Sequence, residues 1–254
     1  INARAIAGQW AHNYPDQPDR HSELESGYGK EAYPNMSRMD WAVELYEWFN
    51  YYLKDIGEEP EPMVQIQTND GRWHVEETWP PEDMNWLLQD ISTEWNGASG
   101  TVNGLGSSVT ITSGVFEELT HVSGLPTLHL DVTTQACQGG QIFATLFDET
   151  ANLRLGHATM DIRYRDGGYD AKPTAPASQY TMLMEFNPLD VVIPAGHSLR
   201  IELTETGEDY LPSPCATNPL GGLTINGGVF GLPIIDRSPS HEAWFEAANW
   251  PNPA

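Results

Sequence analysis

The chain has 254 residues, with 36 Asp and Glu against 12 Lys and Arg, so its formal net charge at pH 7 is −24. A surface this acidic repels nucleic acids and anionic lipids, which excludes both as expected partners. Hydrophobic residues make up 39% of the chain, enough for a folded core, which excludes a disordered chain. No apolar run reaches the roughly 18 residues of a membrane span. No basic-then-apolar leader is visible, so we expect a signal peptide to be absent or already removed.

The first part of the chain has the pattern of a strand, a polar loop and a helix. Residues 2–7 are a short apolar stretch that predicts a strand. Ser37 is a suitable N-cap for a helix, and Gly57 lies just past its expected end. Apolar residues at three- and four-residue spacing predict one helical face, made of Trp41, Leu45, Trp48, Phe49, Tyr52 and Ile56.

After a Pro- and Glu-rich hinge (GEEPEPM), the pattern becomes that of a β protein. The stretch MVQIQTNDGRWHVEETWPP alternates and turns at Asn69-Asp70-Gly71, which predicts a hairpin. Many short strands with no helix between them predict a two-sheet antiparallel sandwich of the jelly-roll type. The further strand candidates are SSVTITS, PTLHLDV, GQIFATLFDE, LRLGHATMDIRY, YTMLMEF, HSLRIELTET and LTINGGVFGLPII.

These patterns predict a mainly β chain in two parts. Residues 1–57 have the pattern of the end of an α/β unit, and residues 58–254 that of a self-contained β-sandwich. A strand of a parallel sheet is normally covered on both faces, which one helix cannot achieve. We therefore expect the opening strand to find its sheet neighbours, and the first part its packing partner, outside this sequence.

Several motifs occur in a distinctive order: AIAGQWAH, a helix ending LYEWFNYYLKDI, the hairpin ending WPP, and AGHSLRIELTETGEDYLPSP. Together they resemble the X-Pro dipeptidyl-peptidase and cocaine esterase family of α/β-hydrolase serine hydrolases. In that family the last strand of the hydrolase sheet runs into a Gly-Pro-Trp-x-His turn, and a helix and a jelly-roll domain follow. Gln9 departs from the pattern, since the family usually has Pro there.

The resemblance implies that His12 is the histidine of a Ser-Asp-His triad. An imidazole on a loop after a strand can accept the serine proton and return it to the leaving group. The alternative is a solvated loop histidine. Trp10, Asn13 and Tyr14 on the same loop are candidates for lining the substrate pocket, although packing under the sheet is the alternative for Trp10.

The other triad residues are not expected within this sequence. In α/β-hydrolases the serine and the acid precede the histidine, and no Gly-x-Ser-x-Gly motif occurs here. The resemblance therefore implies that an N-terminal α/β-hydrolase portion, separate or missing from this sequence, is the main partner. A homo-oligomer is left open. An acidic, lysine-poor chain also suits an extracellular or cell-surface location, including a saline one.

The expected function is that of the C-terminal part of a secreted serine hydrolase, whose jelly-roll domain shapes the substrate site. By resemblance, the favoured substrate is a peptide, cleaved by a peptidase of the X-Pro dipeptidyl-peptidase type. One alternative is an ester substrate, cleaved by an esterase or acylase of the cocaine esterase or amino-acid ester hydrolase type. The others are a jelly-roll module that binds carbohydrate or another surface, and a structural role in an extracellular assembly.

Cysteines and metal-ligating residues give weaker signals. Cys137 and Cys215 both lie in polar, Gly- or Pro-rich stretches, so they are candidates for a disulfide between two loops, with two free thiols as the alternative. The histidines show no zinc-type spacing. The acidic stretches PPEDMNW and DETANL fit solvated loops better than calcium sites. We predict no metal site and no cofactor.

Overall fold

In the computed structural model, the structure describes residues 4–8, 41–60, 63–69, 72–136, 139–207, 210–218, 221–236 and 244–246. Strands predominate over this part of the chain, and it contains one α-helix. No helix among the described residues has the length and apolar character needed to span a membrane. In chain order the elements are β1 (Arg4–Ala7), α1 (Trp41–Lys54), β2 (Met63–Gln67), β3 (Arg72–Glu76), β4 (Asn85–Asp90), β5 (Gly100–Val102), β6 (Val109–Val115), β7 (Thr120–Gly124), β8 (Thr127–Thr134), β9 (Gln141–Asp148), β10 (Leu153–Asp161), a 3-10 helix (Ile162–Tyr164), β11 (Gln179–Glu185), β12 (Leu189–Ile193), β13 (Ser198–Thr204), β14 (Leu223–Ile235) and β15 (Trp244–Glu246).

The chain divides into two compact units. The first comprises the described residues within Ile1–Met84, Asp190–Val192 and Ile235–Ala254, and the second those within Asn85–Leu189 and Ile193–Ile234. The first unit thus extends past residue 57, because the predicted hairpin groups with the strand and helix before it. The division at 57/58 therefore stays a prediction.

The first unit is built on a β-α-β arrangement. β1 pairs in parallel with β2, from Arg4 opposite Met63 to Ala7 opposite Ile66, and α1 lies between them in sequence. A parallel pair needs such a crossover connection, usually a helix. β3 pairs antiparallel with β2, which confirms the predicted hairpin, and β15 pairs with β3. The expectation that β1 would find its sheet neighbours only outside this sequence was wrong, because β2 pairs with one of its edges.

Helix α1 ends two residues earlier than Gly57 suggested. Asp55 follows the helix with a φ of 56°, and its N–H donates to the carbonyl of Tyr51 at 3.0 Å. The N–H of Ile56 donates to the carbonyl of Asn50 at 3.1 Å. Asp is one of the few non-glycine residues that visit the left-handed region, because its short polar side chain forms local hydrogen bonds. The helix is therefore closed by Asp55.

The second unit contains two antiparallel sheets. One has the strand order β10-β9-β13-β6, and the other contains β11-β8-β14-β7, with β4 and β5 also paired to β14. Side chains that alternate between the two faces of each strand form the core. In β8, Leu128, Leu130 and Val132 are fully buried, whereas His129 and Asp131 point outward. The mainly β fold class is confirmed, and each of the seven strand candidates corresponds to a strand.

Two loop predictions are corrected by the structure. PPEDMNW is only partly a loop, since Asn85 and Trp86 begin β4. DETANL contains a turn, but its first residue, Asp148, is fully buried, so the stretch is not simply solvated. Its carboxylate accepts from the N–H of Ala151 at 2.9 Å and lies 2.6 Å from Nδ1 of His197. A buried carboxylate needs such partners, and these fix the turn between β9 and β10.

Cys215 is buried and takes part in a disulfide. Cys137 lies outside the described residues, so the pairing of the two remains a prediction. A Cβ built on Gly139, two residues after Cys137, would lie 3.2 Å from Sγ of Cys215. The chain next to Cys137 therefore lies close to Cys215, as the predicted pairing requires.

Candidate functional site at the end of strand β1

The four predicted site residues His12, Trp10, Asn13 and Tyr14 lie outside the described residues. Their roles therefore stay predictions. The structure does describe the two elements that flank their segment, β1 before it and α1 after it. The geometry of these two elements determines where the segment starts and where it returns.

Arg4 joins the three elements of the β-α-β arrangement. Its Nη1 lies 3.0 Å from Oε2 of Glu44 in α1, and its Nη2 donates to Oε1 of Gln65 in β2 at 2.9 Å. The side chains of Arg4 and Glu44 are about four-fifths buried. Ligands of α/β sheets bind beyond the carboxyl ends of the parallel strands. His12 follows β1 in sequence by five residues, so its segment leaves the sheet at that end.

The apolar face of α1 is not covered by the part of the chain that the structure describes. Leu45 is 41% exposed, Phe49 49% and Ile56 57%. Val43 and Leu53, on other sides of the helix, are exposed as well. The apolar face of an amphipathic helix normally packs against another element of the fold. We therefore expect the apolar face of α1 to pack against residues beyond the described ones.

A buried charge cluster lies in the first unit, formed by His74 and Glu76 of β3 and Asp190 of β12, and we call it the His74 cluster. All three side chains are at least nine-tenths buried. Nδ1 of His74 lies 3.0 Å from Oε1 of Glu76, and Nε2 lies 3.1 Å from Oδ1 of Asp190. Nearby, Asn69 accepts from the N–H of Val192 at 2.7 Å and donates to its carbonyl at 3.1 Å.

The two carboxylates decide the protonation of His74. Burial alone would lower the pKa of the imidazole, but the hydrogen bonds to Asp190 and Glu76 and the charges of both carboxylates outweigh it and raise the pKa to about 9. At neutral pH the ring is therefore an imidazolium, hydrogen-bonded to Glu76 through Nδ1 and within ion-pair distance of Asp190 at Nε2. A ring in this state cannot accept a proton, so His74 is not a general base and serves to hold β3 to β12.

Sequence reasoning missed the His74 cluster. The spacing of His74 and Glu76 was a usable signal, because residues two apart in a strand share one face. Asp190 gave no such signal, since it comes from a distant part of the chain and lies in a stretch, LDVVI, that was not among the strand candidates.

The amino-acid sequence is similar to a known protein family and to curated proteins. Residues 57–224 match the family model described as the X-Pro dipeptidyl-peptidase C-terminal non-catalytic domain. A putative Xaa-Pro dipeptidyl-peptidase from Bacillus anthracis is 26% identical over 238 residues, which cover 78% of this chain and 38% of that protein. The chain thus spans well under half the length of this curated relative.

Two solved structures are similar in fold. A CocE/NonD family hydrolase from Staphylococcus aureus has a TM-score of 0.59 and 13% identity, over 91% of this chain and 54% of that one. An aminopeptidase from a marine sediment Thaumarchaeota archaeon also has a TM-score of 0.59, with 14% identity, over 75% of this chain and 43% of that one. At these identities the likeness concerns the fold alone.

Proposed function

Because the chain belongs to the X-Pro dipeptidyl-peptidase C-terminal domain family, we propose that it is the C-terminal part of a serine hydrolase and supplies His12 to the active site. The Ser and the Asp belong to an N-terminal α/β-hydrolase portion that precedes this sequence in the longer enzyme. The sandwich of the second unit shapes the substrate site and carries no triad residue, in line with a domain described as non-catalytic.

The observation that carries the proposal is the parallel pairing of β1 with β2 through α1, with the apolar face of the helix exposed. A stand-alone binding module has no need of such a crossover unit. An α/β-hydrolase sheet, in contrast, is parallel and covered by helices, so β1, β2 and α1 fit at one edge of it. Further helices of the hydrolase portion would then cover Leu45, Phe49 and Ile56.

His12 would act as the proton carrier of the reaction. It takes the proton of the serine as the hydroxyl attacks the substrate carbonyl, and it gives the proton to the leaving group as the acyl-enzyme forms. In sequence His12 follows the carboxyl end of β1, which supports this role, since α/β-hydrolases present the histidine to the serine at that end of a strand. His74, which is buried in the first unit, is unsuited to this role because its raised pKa keeps it protonated at neutral pH.

For the substrate we favour a peptide with proline at the second position, since the curated relative is named a putative Xaa-Pro dipeptidyl-peptidase. The alternative is an ester or acyl-amide substrate, which the likeness to a CocE/NonD family hydrolase favours. The acidic composition favours secretion, which fractionation of the native source would test.

A fluorophosphonate probe, which labels activated serines, tests the proposal on the native protein. We expect label on a polypeptide that contains this chain or co-purifies with it. In the longer enzyme, His12→Ala should lower kcat/KM at least about a thousandfold, because the serine loses its base. His21→Ala, on the same polar stretch, is the matched control and should keep wild-type activity.

Two results would contradict the proposal: the absence of label from every co-purifying polypeptide, or the survival of activity in His12→Ala. The substrate class is decided separately, by comparing kcat/KM for glycyl-prolyl-p-nitroanilide with that for p-nitrophenyl butyrate. A peptidase prefers the first substrate, and an esterase the second.

A further inference from the structure

The second unit has a polar pocket on the sheet that contains β8, β11 and β14. Its volume is about 440 Å³, within the roughly 300–1,000 Å³ of small-molecule sites. Neither the sequence motifs nor the proposed hydrolase reaction uses it. The residues that line it are Asp131, Val132, Gln179, Tyr180, Thr181 and Asn226.

The carboxylate of the polar pocket is held in place by a cross-strand contact. Thr181 of β11 lies opposite Asp131 of β8, and its hydroxyl donates to Oδ1 of Asp131 at 2.8 Å. Oδ2 of Asp131 accepts no hydrogen bond from any residue that the structure describes. The second oxygen is therefore an oriented acceptor in the pocket lining.

A β-bulge supplies the second acceptor. The register between β14 and β8 shifts between Ile225 and Gly227, so Asn226 is the extra residue. Bulges re-aim side chains and occur frequently beside functional sites. Asn226 Nδ2 donates to the hydroxyl of Thr133 at 2.9 Å, which fixes the amide. Among the described residues none donates to its Oδ1, so this carbonyl oxygen is a second oriented acceptor.

The aromatic ring of the pocket is also fixed. The hydroxyl of Tyr180 accepts from the N–H of Ala175 at 2.9 Å, and the guanidinium of Arg165 lies 4.6 Å from the ring centre. Such a contact over an aromatic face is stabilising. Gln179, next to Tyr180, is exposed and adds an amide that can both donate and accept. The lining thus offers side-chain amide, hydroxyl and carboxylate groups beside a ring that Arg165 covers on one face.

We propose that the polar pocket binds a neutral saccharide. Vicinal hydroxyls donate and accept at once, which matches a carboxylate oxygen and two amides. The net charge of −24 disfavours anionic ligands. One carboxylate is too little for a calcium site of six to eight oxygen ligands. The lining is too polar for an apolar ligand.

Isothermal titration calorimetry of the full chain with cellopentaose, xylopentaose, laminaripentaose and maltopentaose tests this inference. We expect saturable binding of at least one of them. Asp131→Ala should weaken that binding at least about tenfold, because a hydrogen bond to a charged acceptor is lost. Gln179→Ala, at an exposed position where folding is not at risk, should also weaken it. The matched control is Asp170→Ala, an exposed aspartate outside the lining, with unchanged affinity.

Two results would overturn the inference. One is the lack of binding of all four sugars at millimolar concentration by a chain whose circular dichroism shows it folded. The other is binding that Asp131→Ala and Gln179→Ala leave unchanged, which would place the sugar elsewhere. Neither result bears on the proposed hydrolase function, because the polar pocket contains no residue of the triad.

Discussion

The two compact units differ in how completely the described residues bury their apolar side chains. In the second unit Phe230 is fully buried and its ring centre lies 5.4 Å from that of Trp95 and 5.8 Å from that of Phe186. In the first unit Phe49 of α1 is 49% exposed. The same residue type is thus a core residue in one unit and a surface residue in the other. The sandwich has a core of its own, whereas α1 requires contacts beyond the described residues.

The largest expected effect comes from opening the sandwich core. Phe230→Ala should lower the free energy of unfolding by about 3–5 kcal/mol, because it removes a buried ring and leaves a cavity. Chemical denaturation followed by tryptophan fluorescence measures the change. A loss below about 1 kcal/mol would mean that the described packing around Phe230 is not the core of the second unit.

An effect of intermediate size is expected from the His74 cluster as pH rises. The pKa of His74 is about 9 in the folded chain against 6.5 as its ordinary value. The folded state therefore binds the proton of His74 more tightly than the unfolded state does. The stabilisation that results is complete below pH 6.5 and is lost as pH rises through 9. This difference in pKa contributes at most about 3 kcal/mol to the free energy of unfolding.

Denaturation curves at pH 6.5 and pH 9.5, for the wild type and for His74→Gln, measure this contribution. Glutamine does not titrate, so the variant should be less stable at the lower pH and should lack the extra fall in stability of the wild type. Parallel pH dependences for the two proteins would rule out the proposed charge state.

The smallest effect is expected at the exposed helix face. In the 254-residue chain Phe49→Ala should change the free energy of unfolding by less than about 0.5 kcal/mol, since surface substitutions rarely do more. In the longer enzyme the same substitution should cost about 3–5 kcal/mol, because the ring becomes buried there. Equal effects in both proteins would show that α1 gains no new contacts.

Local sequence patterns were sufficient for most of the second unit. In β8 the alternation of Leu128, His129 and Leu130 gives the buried and exposed faces directly, since side-chain direction has a period of two. Strands β4, β5, β7 and β12 were not among the candidates, and β12 was missed because LDVVI is buried throughout and shows no alternation. A short continuous apolar run cannot be assigned from periodicity alone.

The first unit was harder to predict because its contacts are long-range. The parallel pairing of β1 with β2 brings together segments that are far apart in sequence, and no local pattern encodes that register. The pairing of His74 with Asp190 is of the same kind. The candidate site rests on the resemblance that singles out His12, a residue outside the described part of the chain.

The most direct test of the account is hydrogen exchange of the α1 backbone amides, measured in the 254-residue chain and in the longer enzyme with its proposed N-terminal portion. We predict that α1 exchanges at least about tenfold more slowly in the longer enzyme, which corresponds to about 1.4 kcal/mol of added local stability, while β8 exchanges alike in both. Equal exchange of α1 in the two proteins would contradict the claim that a hydrolase portion completes the first unit.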